Sequence, residues 1–143
     1  MRARSRGRLR VARDVRVARG ARVHVARGAR VVLEPGVVLG PESRIDALSG
    51  EVRLGAGARL GERAIVVAHE RVEIGAGAVV GDWAALTDVG PTWDEVEIPV
   101  RGQAVVRAPV EVGPGAVLGP HTSLGPGATV AAGEAVAPYA VRP

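Results

Sequence analysis

The chain has 143 residues, 47% of them hydrophobic, which suits a single domain. It has no Cys and no Phe, so disulfides and Cys-based metal sites are excluded and the core must be built from Val, Leu, Ile and Ala. The 20 Gly and 10 Pro interrupt any long helix. No apolar run approaches the roughly 18 residues that a membrane span requires.

Positive charge is concentrated at the start of the chain. Residues 1–30 contain eleven Arg and one acid, Asp14, whereas residues 31–143 contain eight Arg and fourteen acids. We treat residues 1–10 as a basic N-terminal segment and residues 11–143 as the main domain. The segment lacks the apolar stretch of a signal peptide, so we expect a cytoplasmic protein. The arginines form either a patch for phosphate, nucleic acid or anionic membrane, or a solvated face in a chain whose composition replaces Lys by Arg throughout.

Short repeats fill the main domain. Each unit has an aliphatic residue, then Gly, a turn pair and a small residue, and the clearest copies are LGAGAR at 54–59, IGAGAV at 74–79, VGPGAV at 112–117 and LGPGAT at 124–129. Many units open with an aliphatic-x-aliphatic step, as at 72–74. This alternation is typical of a strand with one side facing inward. The repeats therefore predict a solenoid of short strands.

The spacing of the aliphatic positions indicates the cross-section of the solenoid. Most successive inward positions are six residues apart, but longer gaps at 25→33, 45→54, 66→74 and 86→112 recur at every third step. Three strands per coil explain this pattern if insertions are accepted at one corner of a triangular prism. The sequence thus predicts an all-β, single-stranded parallel β-helix of about six triangular coils with one long loop at 87–109.

The repeat resembles that of the hexapeptide-repeat acyltransferases. Within 68–124 the chain is similar to their sugar and antibiotic O-acetyltransferase branch, through Thr-Asp at 87–88, IPVRGQ at 98–103 and APVEVG at 108–113. The resemblance implies a left-handed β-helix, a homotrimer and transfer of an acetyl group to a small hydroxyl acceptor such as a sugar. It also implies acetyl-CoA or another acyl-CoA as co-substrate, with no tightly bound cofactor.

Two positions depart from the family pattern. The catalytic His of the family falls on Pro91, and there is no His between residues 70 and 120. The resemblance places the acyl-CoA arm along the C-terminal coils, at Val117, Pro120 and Pro138, and proline at 138 has no N–H to donate. Two functions therefore remain open: an acyl-CoA-dependent O-acyltransferase, and a catalytically impaired β-helix protein with a ligand-binding or structural role.

The candidate catalytic residues lie at the corner that accepts insertions. His69 sits in a short insertion 18 residues before Thr87, so we expect it one layer below Thr87 and Asp88. His69 is the candidate general base, with Asp88 orienting it. The alternatives are a surface-turn histidine bonded to a carboxylate, and an aspartate that shapes the turn through backbone N–H groups.

The long loop supplies the candidate acceptor-binding residues, Trp93 and Arg101. Trp93 would stack on the acceptor or anchor the loop against a neighbouring subunit, and Arg101 would bind an anionic group or form a loop salt bridge. His24, His69 and His121 are spread over several coils, so we expect no metal site. Because stacking aromatic residues are scarce, we do not expect a nucleic-acid partner.

Overall fold

The computed structural model of the protein describes residues 2–5, 7–91 and 105–143, and every regular element in these ranges is a β-strand. Most of the strands form three parallel sheets. No helix in the described ranges is long and apolar enough to cross a membrane. The first sheet contains β1 (Arg2–Ser5), β4 (Arg22–Val25), β7 (Arg44–Ala47), β10 (Ile65–Ala68), β13 (Ala85–Thr87), β18 (Ser123–Leu124) and β21 (Val141–Arg142).

The other two sheets contain six strands each. The second sheet contains β2 (Arg8–Val11), β5 (Arg30–Leu33), β8 (Glu51–Leu54), β11 (Arg71–Ile74), β16 (Val110–Val112) and β19 (Thr129–Val130). The third sheet contains β3 (Arg16–Val17), β6 (Val38–Leu39), β9 (Arg59–Leu60), β12 (Val79–Val80), β17 (Val117–Leu118) and β20 (Ala135–Val136).

Among the strands of these three sheets, consecutive strands along the chain belong to different sheets, and neighbours within a sheet are one coil apart. In the second sheet, for example, Val31 pairs with Val52 and Val52 pairs with Val72, always in parallel. Each coil therefore contributes one strand to each of three walls. The predicted all-β solenoid of about six coils with three strands per coil is confirmed.

The core is a column of stacked aliphatic side chains. Every predicted inward position from Val25 onward is buried, and Val17 in the first coil is half-buried. Ala58, Ala78 and Ala116 are also fully buried, at the corner between the second and third sheets. A methyl group at this position allows two walls to approach closely, which explains the small residue of the repeat.

The ladders begin earlier than the repeat predicted from the sequence. Strand β1 pairs with β4 from Arg2 to Ser5, and β2 pairs with β5 from Arg8 to Val11. Two strands within residues 1–11 therefore continue the first and second sheets. The sequence did not indicate these strands because residues 1–11 are rich in arginine and the predicted inward positions start only at Val17.

The long insertion opens as a hairpin that leaves the solenoid. Strand β14 (Val89–Pro91) pairs antiparallel with β15 (Val105–Arg107), and the Ala108 N–H donates to the Asp88 carbonyl oxygen at 3.0 Å where the hairpin closes. Pro91, the position of the family histidine, lies in this hairpin opposite Val105. The predicted loop residues Trp93 and Arg101 lie outside the described residues.

Candidate active site at the insertion corner

The corner that joins the first sheet to the second absorbs the extra residues of the chain. We call it the insertion corner; the described residues of its turns are 26–29, 48–50, 69–70, 88–91, 105–109 and 125–128. Strand pairing keeps the walls in register on both sides, so a coil of different length can differ only at such a turn. The turns that carry His69 and Asp88 are therefore stacked neighbours.

Asp88 is completely buried and binds the turn of the preceding coil. Its Oδ1 accepts the N–H of His69 at 2.8 Å, and its Oδ2 accepts the N–H groups of Glu70 at 2.6 Å and Arg71 at 2.7 Å. Three charge-assisted hydrogen bonds compensate the loss of hydration of this carboxylate. Asp88 therefore shapes a turn through backbone N–H groups, but this turn belongs to the previous coil and not to the residues that follow Asp88.

His69 lies beside the same carboxylate. Its Nδ1 is 3.9 Å from Asp88 Oδ1, and this nitrogen is buried without a hydrogen-bond partner. From the other side the Ser49 hydroxyl donates to the His69 carbonyl oxygen. The side chain remains 27% exposed. The backbone of His69 is thus fixed from two adjacent coils, while part of the imidazole stays accessible.

The coil between these residues is longer than the sequence suggested. Val67 pairs with Thr87, 20 residues later, so the expected 18-residue coil at this point is wrong. The additional residues lie in the turn that follows β10. The expected proximity of His69 and Asp88 is nevertheless confirmed, because Asp88 directs its carboxylate towards the turn at 69–71.

A groove of about 580 Å³ runs along the first sheet beside the hairpin. Thr87, Val89 and Gly90 line it from the base of the hairpin, and residues 123–126 and 141–143 line it from the last two coils. Its charged lining residue is Arg142, whose guanidinium bonds the Glu134 carboxylate. Thr87 and Val89 flank Asp88 in the chain, so the groove starts where the buried carboxylate is held.

The three predicted acyl-CoA residues lie elsewhere on the prism. Val117 is exposed on the third sheet, and Pro120 and Pro138 are exposed one coil apart at the corner between the third and first sheets. The structure therefore brings His69 and Asp88 together at one corner and Val117, Pro120 and Pro138 together near another. It does not combine the two sets within one chain.

The corner with Pro120 and Pro138 also carries a row of stacked side chains. The rings of Trp83 and His121 stack at 6.0 Å between centroids, and those of His121 and Tyr139 stack at 4.8 Å. Arg63 lies 5.0 Å from the Trp83 ring centre and forms an ion pair with Glu42 at 3.2 Å. We call this corner the aromatic corner. Sequence reasoning did not find it.

All five residues that contribute to this row have a left-handed backbone, with φ between 56° and 64°: Glu42, Arg63, Trp83, His121 and Tyr139. This conformation is costly for residues other than glycine, by roughly 1–2 kcal/mol each. The corner between the second and third sheets has glycine at the equivalent place in five coils: Gly36, Gly57, Gly77, Gly115 and Gly133. The bulky residues at the aromatic corner therefore have a favourable interaction that offsets this cost, and mutual stacking supplies part of it.

The remaining histidines are separate from the insertion corner. His24 lies on the first sheet opposite Asp46, and His121 belongs to the aromatic corner. Within residues 7–90 and 106–143, where side chains are described, no group of three or more His, Cys, Asp or Glu residues has a geometry that would hold a metal ion.

Comparison with known proteins gives one informative similarity. Over 78 residues, 54% of its length, the chain is 28% identical to probable acetyltransferase Rv3034c of Mycobacterium tuberculosis, and it spans 26% of that protein. No protein-family model matches the chain, and no solved structure does. Together with the solenoid, the similarity fits a hexapeptide-repeat acyltransferase.

Asp88→Ala is expected to lower the free energy of unfolding by about 3 kcal/mol, because it leaves three inward-facing N–H groups without an acceptor. Asp82 provides the matched control, since its exposed carboxylate accepts one N–H, from Glu62 at 2.9 Å. Asp82→Ala should cost less than about 1 kcal/mol. Urea denaturation of both variants measures the difference, and equal losses would contradict the structural role of Asp88.

Proposed function

We propose that the chain is an acyltransferase that moves an acetyl or other short acyl group from acyl-CoA to the hydroxyl of a small acceptor such as a sugar. The observation that carries the proposal is His69, whose Nδ1 lies 3.9 Å from the buried Asp88 carboxylate while part of its ring stays exposed. The solenoid and the similarity to a mycobacterial protein named as an acetyltransferase support the same class.

We propose that the neighbouring Asp88 carboxylate holds His69 in the tautomer of a general base. A carboxylate beside Nδ1 favours the proton on that nitrogen, which leaves Nε2 free to accept another. Nε2 takes the proton of the acceptor hydroxyl as its oxygen attacks the thioester carbonyl carbon. The tetrahedral intermediate then expels the CoA thiolate, which receives the proton from the imidazolium. The products are an ester and free CoA.

The acyl-CoA donor would lie along the exposed stretch at Val117, Pro120 and Pro138. Pro138 offers no N–H, and the Tyr139 N–H is already bonded to the Pro120 carbonyl oxygen at 3.0 Å. Neither backbone position is available as a donor to an amide of the pantetheine arm. We therefore propose that the arm is held here mainly by apolar contacts, with Val117 as an exposed contact point.

A second subunit is needed to complete this site. The candidate base and the candidate donor residues lie at different corners of one prism, so they can meet only if another copy supplies one set. Exposed aliphatic side chains at Ile65, Val117 and Val141 flank the aromatic corner on the first and third sheets. The outward face of the second sheet is instead charged, for example at Arg53 and Glu73. We therefore propose a cytoplasmic homotrimer that packs through the later coils of the aromatic corner, from Arg63 to Tyr139, and through the parts of the first and third sheets beside them.

The second candidate is a catalytically impaired protein that binds acyl-CoA or another ligand. Pro91 occupies the position of the family histidine, and its backbone is part of the hairpin opposite Val105. His69 lies in the preceding coil and is not part of the groove lining. In this case the groove would bind a ligand without transfer.

His69→Ala is expected to lower acetyl-CoA turnover by about 100-fold or more across hydroxyl acceptors, because it removes the proposed base. His24→Gln, which changes a histidine of the first sheet outside both the insertion corner and the aromatic corner, is the matched control and should keep turnover within about two-fold of the unchanged chain. A thiol-release assay with a panel of sugars measures both. Turnover that survives His69→Ala would remove the proposed base, and acetyl-CoA binding by calorimetry without any turnover would favour the impaired protein.

The proposed trimer predicts a sedimentation-equilibrium mass three times the 14.7 kDa of one chain. A double substitution, Trp83→Glu and Tyr139→Glu, should shift the mass to one chain, because these side chains are 51% and 71% exposed at the proposed contact. Glu73→Lys on the charged second sheet is the control and should leave the mass unchanged. A monomeric unchanged chain would contradict the proposed assembly.

A further inference from the structure

A ring of arginines encircles one end of the solenoid. In chain order, the first of these residues lie on the second sheet, at the corner between the second and third sheets, and on the third sheet. The next ones lie at the aromatic corner, on the first sheet and at the insertion corner, and the last one lies on the second sheet again. Seven of the side chains are exposed and Arg30 is half-buried. We call the set the arginine ring: Arg8, Arg10, Arg13, Arg16, Arg19, Arg22, Arg27 and Arg30.

The arginine ring has no carboxylate partners within the side chains that the structure describes. The ion pairs of arginine begin at Arg44, which binds Asp46 at 2.7 Å, and they recur at Arg53, Arg63, Arg71 and Arg142. The sequence explains this contrast, because Asp14 is the single acid among residues 1–33. Five of the later arginines are therefore paired with carboxylates, whereas the described side chains at this end leave the positive charge uncompensated.

Strand register brings some of these charges directly beside one another. Arg8 pairs with Arg30 on the second sheet, and Arg22 pairs with Arg44 on the first. Neighbouring strands are about 4.8 Å apart, and like charges directly opposite each other destabilise a sheet. Arg8, Arg10 and Arg30 line a surface depression of about 550 Å³. An anion placed there would relieve the repulsion.

Apolar surface lies within the same end of the prism. Val11 pairs with the fully buried Leu33 and faces inward, yet it is 43% exposed. Leu9, Val15 and Val17 also face inward and are half-buried. This end therefore presents aliphatic side chains surrounded by a perimeter of arginine.

We propose that the arginine ring docks this end of the solenoid onto an anionic lipid membrane. A charged perimeter around the prism matches a planar anionic surface, whereas a nucleic-acid strand would require charges aligned along one face. The lipid head groups would pair with the guanidinium groups, and the aliphatic centre would contact the interface. The cytoplasmic leaflet, with its anionic lipids, has the required charge.

Co-sedimentation with vesicles tests this proposal. Vesicles of phosphatidylcholine with roughly 30% phosphatidylglycerol should bind the full chain, and binding should fall as salt is raised, since each nearby arginine contributes attraction within a Debye length. The triple variant Arg8→Gln, Arg10→Gln and Arg30→Gln should reduce partitioning by about 100-fold. The matched control removes the same charge elsewhere: Arg53→Gln, Arg59→Gln and Arg71→Gln should reduce it by less than about three-fold.

One further variant and two further binding partners complete the test. The conservative variant Arg8→Lys, Arg10→Lys and Arg30→Lys keeps the charge and should retain binding, which separates loss of charge from loss of fold. Equal binding to vesicles of phosphatidylcholine alone, or partitioning that the triple Gln variant leaves unchanged, would overturn the proposal. Tighter binding to a random-sequence DNA duplex than to anionic vesicles at the same salt would also overturn it, in favour of nucleic acid.

Discussion

Hydrogen bonding between successive coils is the constraint on which the rest of the structure depends. Each strand pairs in parallel with its equivalent one coil away, so a shift by one residue would move its inward side chains to the surface. Val31, Val52 and Val72 illustrate this register, since all three are fully buried in one column. A coil of different length must therefore place its extra residues in a turn. The insertion corner is where this chain places most of them.

An irregular turn at that corner creates N–H groups with no partner in the ladder, and Asp88 satisfies them. Its buried carboxylate accepts three backbone N–H groups from residues 69–71. The same oxygen that binds the His69 backbone lies 3.9 Å from the His69 ring. The structural role of Asp88 is therefore compatible with its proposed chemical role, because the bond that holds the turn also keeps the His69 backbone beside the carboxylate. This coupling links the solenoid register to the proposed general base.

The sequence predicted the parts of the molecule that repeat. Inward positions and the insertion corner followed from the six-residue spacing, and the proximity of His69 and Asp88 followed from the corner. The direction of the Asp88 carboxylate and the hairpin at Val89–Pro91 could not be predicted, because single turns have no period. The aromatic corner did leave a signal: Trp83, His121 and Tyr139 each follow Asp or Pro and precede a small residue. Residue type alone does not reveal that such a position adopts a left-handed backbone.

Hydrogen exchange of the backbone amides of His69, Glu70 and Arg71 tests the central claim most directly. If the Asp88 carboxylate holds this turn, these three amides exchange as slowly as strand amides such as Val72, because their exchange requires opening of the surrounding coils. NMR on the unmodified chain at neutral pH measures them individually. Exchange of all three at the rate of an unprotected loop would contradict the claim that Asp88 fixes the turn and positions His69.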